Sequence, residues 1–146
     1  MPKMNQEILS RFLADCERVF SFLTTEYSFP PPVREVDSSI AFANVAFVGT
    51  HVAIEFILDD RDQDISCMIS IVNNGSRTKA FERDETGKKV REYLSAWLLA
   101  RGVRSRLFTP TTQMAFGEQI PVVLADFARM LREHGAEVLN DRPLEL

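Results

Sequence analysis

Two runs of alternating residues separated by six polar ones limit what this chain can fold into. Residues 51–58, HVAIEFIL, place Val52, Ile54, Phe56 and Leu58 on one side and His51, Ala53, Glu55 and Ile57 on the other. Residues 65–72, ISCMISIV, repeat the pattern, with Ile65, Cys67, Ile69 and Ile71 opposed to Ser66, Met68, Ser70 and Val72. A period of two is the signature of a strand, because successive side chains leave opposite faces of a sheet. The intervening DDRDQD, 59–64, is too short for a parallel crossover, which takes a dozen residues or more, so the two strands pair antiparallel.

A third run precedes them. Residues 39–48, SIAFANVAFV, are rich in β-branched and aromatic residues and stop at Gly49-Thr50, which predicts a three-strand meander. The NNGS stretch from Asn73 to Ser76 tolerates positive φ and closes the last of these strands.

Helical spacing flanks the meander. Ile8, Leu9, Phe12, Leu13, Cys16, Val19, Phe20 and Leu23 recur every three or four residues, predicting a helix over 5–26 with Asn5 as N-cap. The run FPPPV, 29–33, ends it. Val90, Tyr93, Leu94, Trp97 and Leu98 trace a second helix, closed by Gly102. A third starts near Pro121 and runs through Leu124, Phe127 and Leu131 to Gly135. Between them, 76–87 reads as a loop with a short strand around Thr78 to Phe81, and VRSRLF, 103–108, as a further edge strand. The expectation is one α+β domain over 1–146: an antiparallel meander of three to five strands packed with three helices, in the order α-βββ-α-(β)-α. At 146 residues such a domain buries about 70% of its unfolded surface and needs no staples.

The acidic segment 57–66, ILDDRDQDIS, is the densest polar feature. Asp60, Asp62 and Asp64 match the first three ligand positions of a calcium loop, which then requires glycine at the sixth position and glutamate at the twelfth. Ile65 and Ile71 stand there, and both belong to a strand. A charged hairpin turn accounts for the segment, and no metal or cofactor is expected. Glu55, Asp59, Asp60, Asp62 and Asp64 are the candidate residues for gripping a basic surface on a partner.

No GxSxG, HExxH, P-loop or GxGxxG motif occurs, and no catalytic residue is assigned. His51 falls at a turn and His134 in a last helical turn, where each has an ordinary structural reading. Arg101, Arg104 and Arg106 form the one basic cluster, read as a solvated loop. A net charge of −4 gives no general attraction to nucleic acid or anionic membrane. The opening MPKMNQEILSRF has no secretory h-region, and no apolar run approaches a membrane span. Cys16 and Cys67 fall in apolar-periodic segments, as buried thiols in a reducing cytoplasm do.

FLTTEYSF (22–29), then AFANVAFVGTHVAIEFILDDRDQDISCMI (41–69) and the closing LREHGAEVLN (131–140), together resemble small bacterial immunity proteins of polymorphic-toxin systems. The element order also resembles that of type III secretion chaperones, which hold an effector segment as dimers. Both resemblances imply a cytoplasmic protein that binds another protein and does no chemistry. A different class stays open: a small-ligand-binding or hydrolase domain with a pocket between sheet and helices, holding Glu55 or His51. SIAFANVAFV carries no charge over ten residues, so an edge position would leave it unprotected. Segment 30–37, the C-terminal tail or a second copy must cover it, and a homodimer is expected on that ground.

Overall fold

Asn5 opens the first helix, its side-chain Oδ1 accepting from the amides of Glu7 and Ile8. The computed structural model describes residues 5–77, 83–104 and 114–146. Helix α1 spans Gln6–Val19 and breaks at Phe20; α2, Ser21–Thr25, follows at once. The single helix expected over 5–26 is therefore two. The break lets the Phe20 ring stack on Phe56 of the sheet, with centroids 3.7 Å apart.

Among the described residues six strands form one antiparallel sheet: β1 (Val33–Asp37), β2 (Phe42–Val48), β3 (Val52–Asp59), β4 (Asp64–Asn73), β5 (Ser76–Arg77) and β6 (Arg91–Tyr93). The order is β1-β2-β3-β4, and both β5 and β6 pair along the outer side of β4. The α+β meander read from the alternation is present. So is the positive-φ turn at Asn74-Gly75 (φ 53° and 79°).

Strand β1 is one of the three covers expected for the uncharged strand, in place of the favoured homodimer. Its residues pair with β2, from Val33 opposite Ala46 to Asp37 opposite Phe42. This is the 30–37 segment folding back over the uncharged strand, so that strand lies inside the sheet and needs no second copy to cover it. The stretch 39–41 is not strand: Asp37 caps a 3-10 turn at Ser38–Ile40, and Ala41 at φ 54° redirects the chain.

The second helix also begins later than its spacing suggests. Val90 accepts from the Ile71 amide, and Arg91–Tyr93 pair with Ser70–Met68, so α3 is Leu94–Ala100. Backbone donors along β4 outweighed a helical repeat that Val90 and Tyr93 matched by coincidence. Helix α4 runs Phe116–His134, starting five residues before Pro121, because Phe116 and Ile120 anchor its first turns in the core. A short α5, Ala136–Leu139, follows. The strands expected at 78–81 and 105–108 lie outside the described residues; Val103 and Arg104 are irregular.

The buried side chains of the five helices among the described residues belong to one cluster with Val45, Phe47, Val52, Ile54, Phe56, Cys67 and Ile69. One face of the sheet thus carries the apolar core, and the other is left for a different purpose. Among the described residues no helix is long and apolar enough to cross a membrane.

The C-terminal segment is fastened to the β2–β3 turn through Asp141. Its carboxylate accepts from the amides of Thr50, His51 and Val52 at 2.6, 2.8 and 3.0 Å. Gly49 permits this approach, since a Cβ there would fall 2.5 Å from the carboxylate. Asp141→Ala is expected to cost about 2 kcal/mol, the loss of charge-assisted hydrogen bonds to a tight turn. Urea unfolding checks it; a change below about 0.5 kcal/mol, ordinary for a surface substitution, would show that the tail does not hold the turn.

Candidate functional site

The sheet face away from the helices is built around a buried carboxylate. The registers place Ala46 opposite Glu55 and Glu55 opposite Met68, with Asn44 and Ser70 on the neighbouring strands of the same face. Glu55 is 1% exposed, Ser70 0% and Asn44 4%, values that forbid leaving the charge unpartnered.

Five contacts to four side chains satisfy it. Oε1 accepts from Asn44 Nδ2 at 3.1 Å, Arg77 Nε at 3.1 Å and Arg91 Nη2 at 3.4 Å. Oε2 accepts from the Ser70 hydroxyl and from Arg91 Nε at 3.2 Å. Arg77 continues outward, its Nη2 donating to Glu35 on β1 at 2.9 Å. One guanidinium thus joins β5 to β3 and β1, and the other joins β6 to β3.

A concave cavity of about 440 Å³ opens over this floor. Phe42, Ile57, Met68 and Tyr93 supply apolar wall; Asn44, Ser66, Arg77 and Arg91 supply polar wall. Glu35, Asp59 and Asp64 complete its lining. The cavity lies on the opposite side of the sheet from the position a sheet–helix pocket would take. The helix side is instead filled by Phe12, Phe20, Phe47, Phe56 and Phe127.

The five candidate partner-binding residues divide into four groups. Asp59 and Asp64 face each other across the β3–β4 register and line the cavity. Glu55 lies on the same face four residues before Asp59, as an internal support. Asp60 turns away and accepts from the Asn5 amide at 2.9 Å, tying the turn to the start of α1. Asp62 sits exposed at the turn, its amide donating to Asp59 Oδ1 at 3.1 Å.

Asn44, Ser70, Arg77 and Arg91 are the site residues that sequence reasoning missed. A signal did exist for two of them. Asn44, Glu55 and Ser70 each interrupt an apolar strand, and alternation puts Glu55 and Ser70 on the faces opposite the core. The arginines carried no such mark, since Arg77 fell in a segment read as loop and Arg91 in one read as helix.

The arrangement offers little to catalysis. Glu55 is out of reach of substrate and its lone pairs are occupied, so it cannot act as a general base in this geometry. Burial pushes the Cys67 thiol well above its ordinary range, with the charge of Glu55 adding to the effect; burial also raises Cys16, helped by Asp15. Neither thiol is a ready nucleophile. His51 is exposed, and its amide is held by Asp141. His134 stands at the end of α4, 3.7 Å from Glu133. Arg101 forms a bidentate pair with Glu137 and lies over the Trp97 ring, Arg104 is exposed, and Arg106 is outside the described residues. Among the described residues no three His, Cys, Asp or Glu side chains come together as a group able to hold a metal ion.

Comparison with family models, with curated proteins and with solved structures finds no match to this chain.

Breaking a buried ion pair from one side leaves the other charge stranded, which costs about 3–5 kcal/mol. Glu55→Gln is expected to destabilise the fold by that order, because Arg77 and Arg91 lose the buried carboxylate they share, Arg77 keeping only Glu35 at the outer side. Chemical denaturation measures it. A loss below about 1 kcal/mol, typical of an average substitution, would show that the arginines find water or other partners instead.

Proposed function

We propose that this chain is a non-enzymatic protein-binding module of immunity-protein type, acting in the cytoplasm, which docks its partner on the sheet face away from the helices. The observation that carries this reading is the composition of that face. Its ionic groups are locked to one another at the centre, its rim is acidic, and apolar side chains stand between them. Such a mixture of a rigid polar floor and accessible aromatic and aliphatic wall suits recognition. The resemblance of 22–29, 41–69 and 131–140 to immunity proteins supports the narrower class. Low thiol reactivity and the occupied Glu55 carboxylate agree with a protein that does no chemistry.

A small-ligand reading is favoured by one observation, the cavity volume of about 440 Å³. It falls within the ~300–1,000 Å³ usual for small-molecule sites.

Substitutions on the two sides of the molecule separate docking from its rivals. Tyr93, 47% exposed, lies on the proposed face, and Leu99, 64% exposed, lies on α3. A tagged chain recovers its partner from the source cells. Tyr93→Glu or Asp64→Lys is expected to lower that recovery at least tenfold, a loss of about 1.4 kcal/mol or more. Leu99→Glu is expected to leave it unchanged. Loss on Leu99→Glu with retention on Tyr93→Glu would place the interface on the helical side and overturn the assignment.

A further inference from the structure

The charges that the central network leaves over lie at one end of the same face. Asp59 and Asp64 are directly opposed in the β3–β4 register. Like charges in that position destabilise a strand pair. Among the described residues neither carboxylate forms an ion pair, and the Asp62 amide is the donor that reaches Asp59. A second feature points the same way. Asn44 is 4% exposed and lines the cavity; its Nδ2 is committed to Glu55, while its Oδ1 has no hydrogen-bond partner among the described residues. A buried carbonyl oxygen without a donor is uncommon and costs free energy.

Asp59, Asp64 and Asn44 therefore line one cavity, and among the described residues each has acceptor capacity left over. The local balance is negative, with Glu35, Glu55, Asp59 and Asp64 set against Arg77 and Arg91. Phe42, Ile57 and Met68 provide apolar wall beside the acidic end.

The geometry points to a cation-accepting cleft, entered by an arginine side chain of the protein partner. The guanidinium is placed between Asp59 and Asp64, and the methylenes lie along Phe42, Ile57 and Met68. A planar fork of donors matches two adjacent carboxylates better than a point charge does, and a long apolar stem suits the walls. Filling the cleft sets one positive charge between the two negative ones, so the partner relieves a repulsion that the free protein carries. This deepens the docking reading of the same face and rests on it.

The probe is N-acetyl-L-arginine methylamide, titrated into the isotope-labelled chain and followed through backbone amide shifts. Saturable shifts are expected at Phe42, Asn44, Asp64 and Ser66, at millimolar concentrations. The neutral citrulline analogue should produce none, and 0.5 M salt should weaken the binding. Asp59→Asn with Asp64→Asn should weaken it at least tenfold. That double variant keeps an Oδ1 for the Asp62 amide and removes the opposed charges, so its unfolding midpoint should not fall. No saturable shift, equal binding of citrulline, or native affinity in the double variant would each overturn the inference. If the arginine probe fails while Tyr93→Glu still abolishes partner recovery, the cation cleft is wrong and the docking face stands. If the probe binds but no substitution on this face affects recovery, the docking reading falls and the ligand is a free guanidinium compound.

Discussion

A carboxylate placed at the middle of a sheet sets terms for everything around it. Glu55 is removed from water, and isolated burial of such a charge is prohibitive. The fold meets this by bringing two guanidiniums, a hydroxyl and an amide to its oxygens. Those groups come from β2, β4, β5 and β6, so the network can form only when the whole sheet is assembled. Arg77 reaches it because the tight turn at Asn74-Gly75 returns the chain against β4. Arg91 reaches it because the segment before α3 stays extended. The ion cluster need not add net stability over an apolar equivalent. It does tie sheet registry to side-chain chemistry: a one-residue slip of β4 would carry Ser70 off the face that holds Glu55.

The two faces then divide the labour. On one, eight phenylalanines among the described residues and the helices form a core in which Phe20 stacks on Phe56 and Phe47 meets Phe56 edge-on. On the other, charged groups hold one another in fixed positions. Rigid placement of that kind suits recognition, since ordered side chains lose little further entropy when a partner arrives.

How much of this the sequence disclosed depended on whether the signal was local. Strands β3 and β4 alternate over eight residues each, and no other structure fits a period of two, so their pairing and core faces were legible. Asn5 as a cap and Asn74-Gly75 as a turn were legible for the same reason: one or two residues decide the backbone there. Strand β1 was not, because VREVD follows three prolines and lacks an apolar face; pairing with β2, rather than its own pattern, makes it a strand. The start of α3 was misplaced because Val90 and Tyr93 obey a helical repeat that β4's unpaired amides override. At the site, Glu55 stood out as a charge within an apolar strand. Its arginine partners did not, since Arg77 is 22 residues away and Arg91 is 36.

The acidic turn shows why composition alone misleads about such a cluster. Five residues chosen for their charge separate, once folded, into an internal support, a tether to α1, a turn residue and an opposed pair facing a cavity. The tether and the support have their partners within the molecule. Asp59 and Asp64 have none among the described cations, and the strand pairing holds them together although their charges repel. A sheet that satisfies five contacts around one buried carboxylate, and yet leaves two carboxylates opposed at its rim, concentrates its unmet electrostatic demand at a single point. That point borders apolar wall and is reachable from solvent. In the docking reading proposed above, that demand is met by a cation that the partner brings to the face.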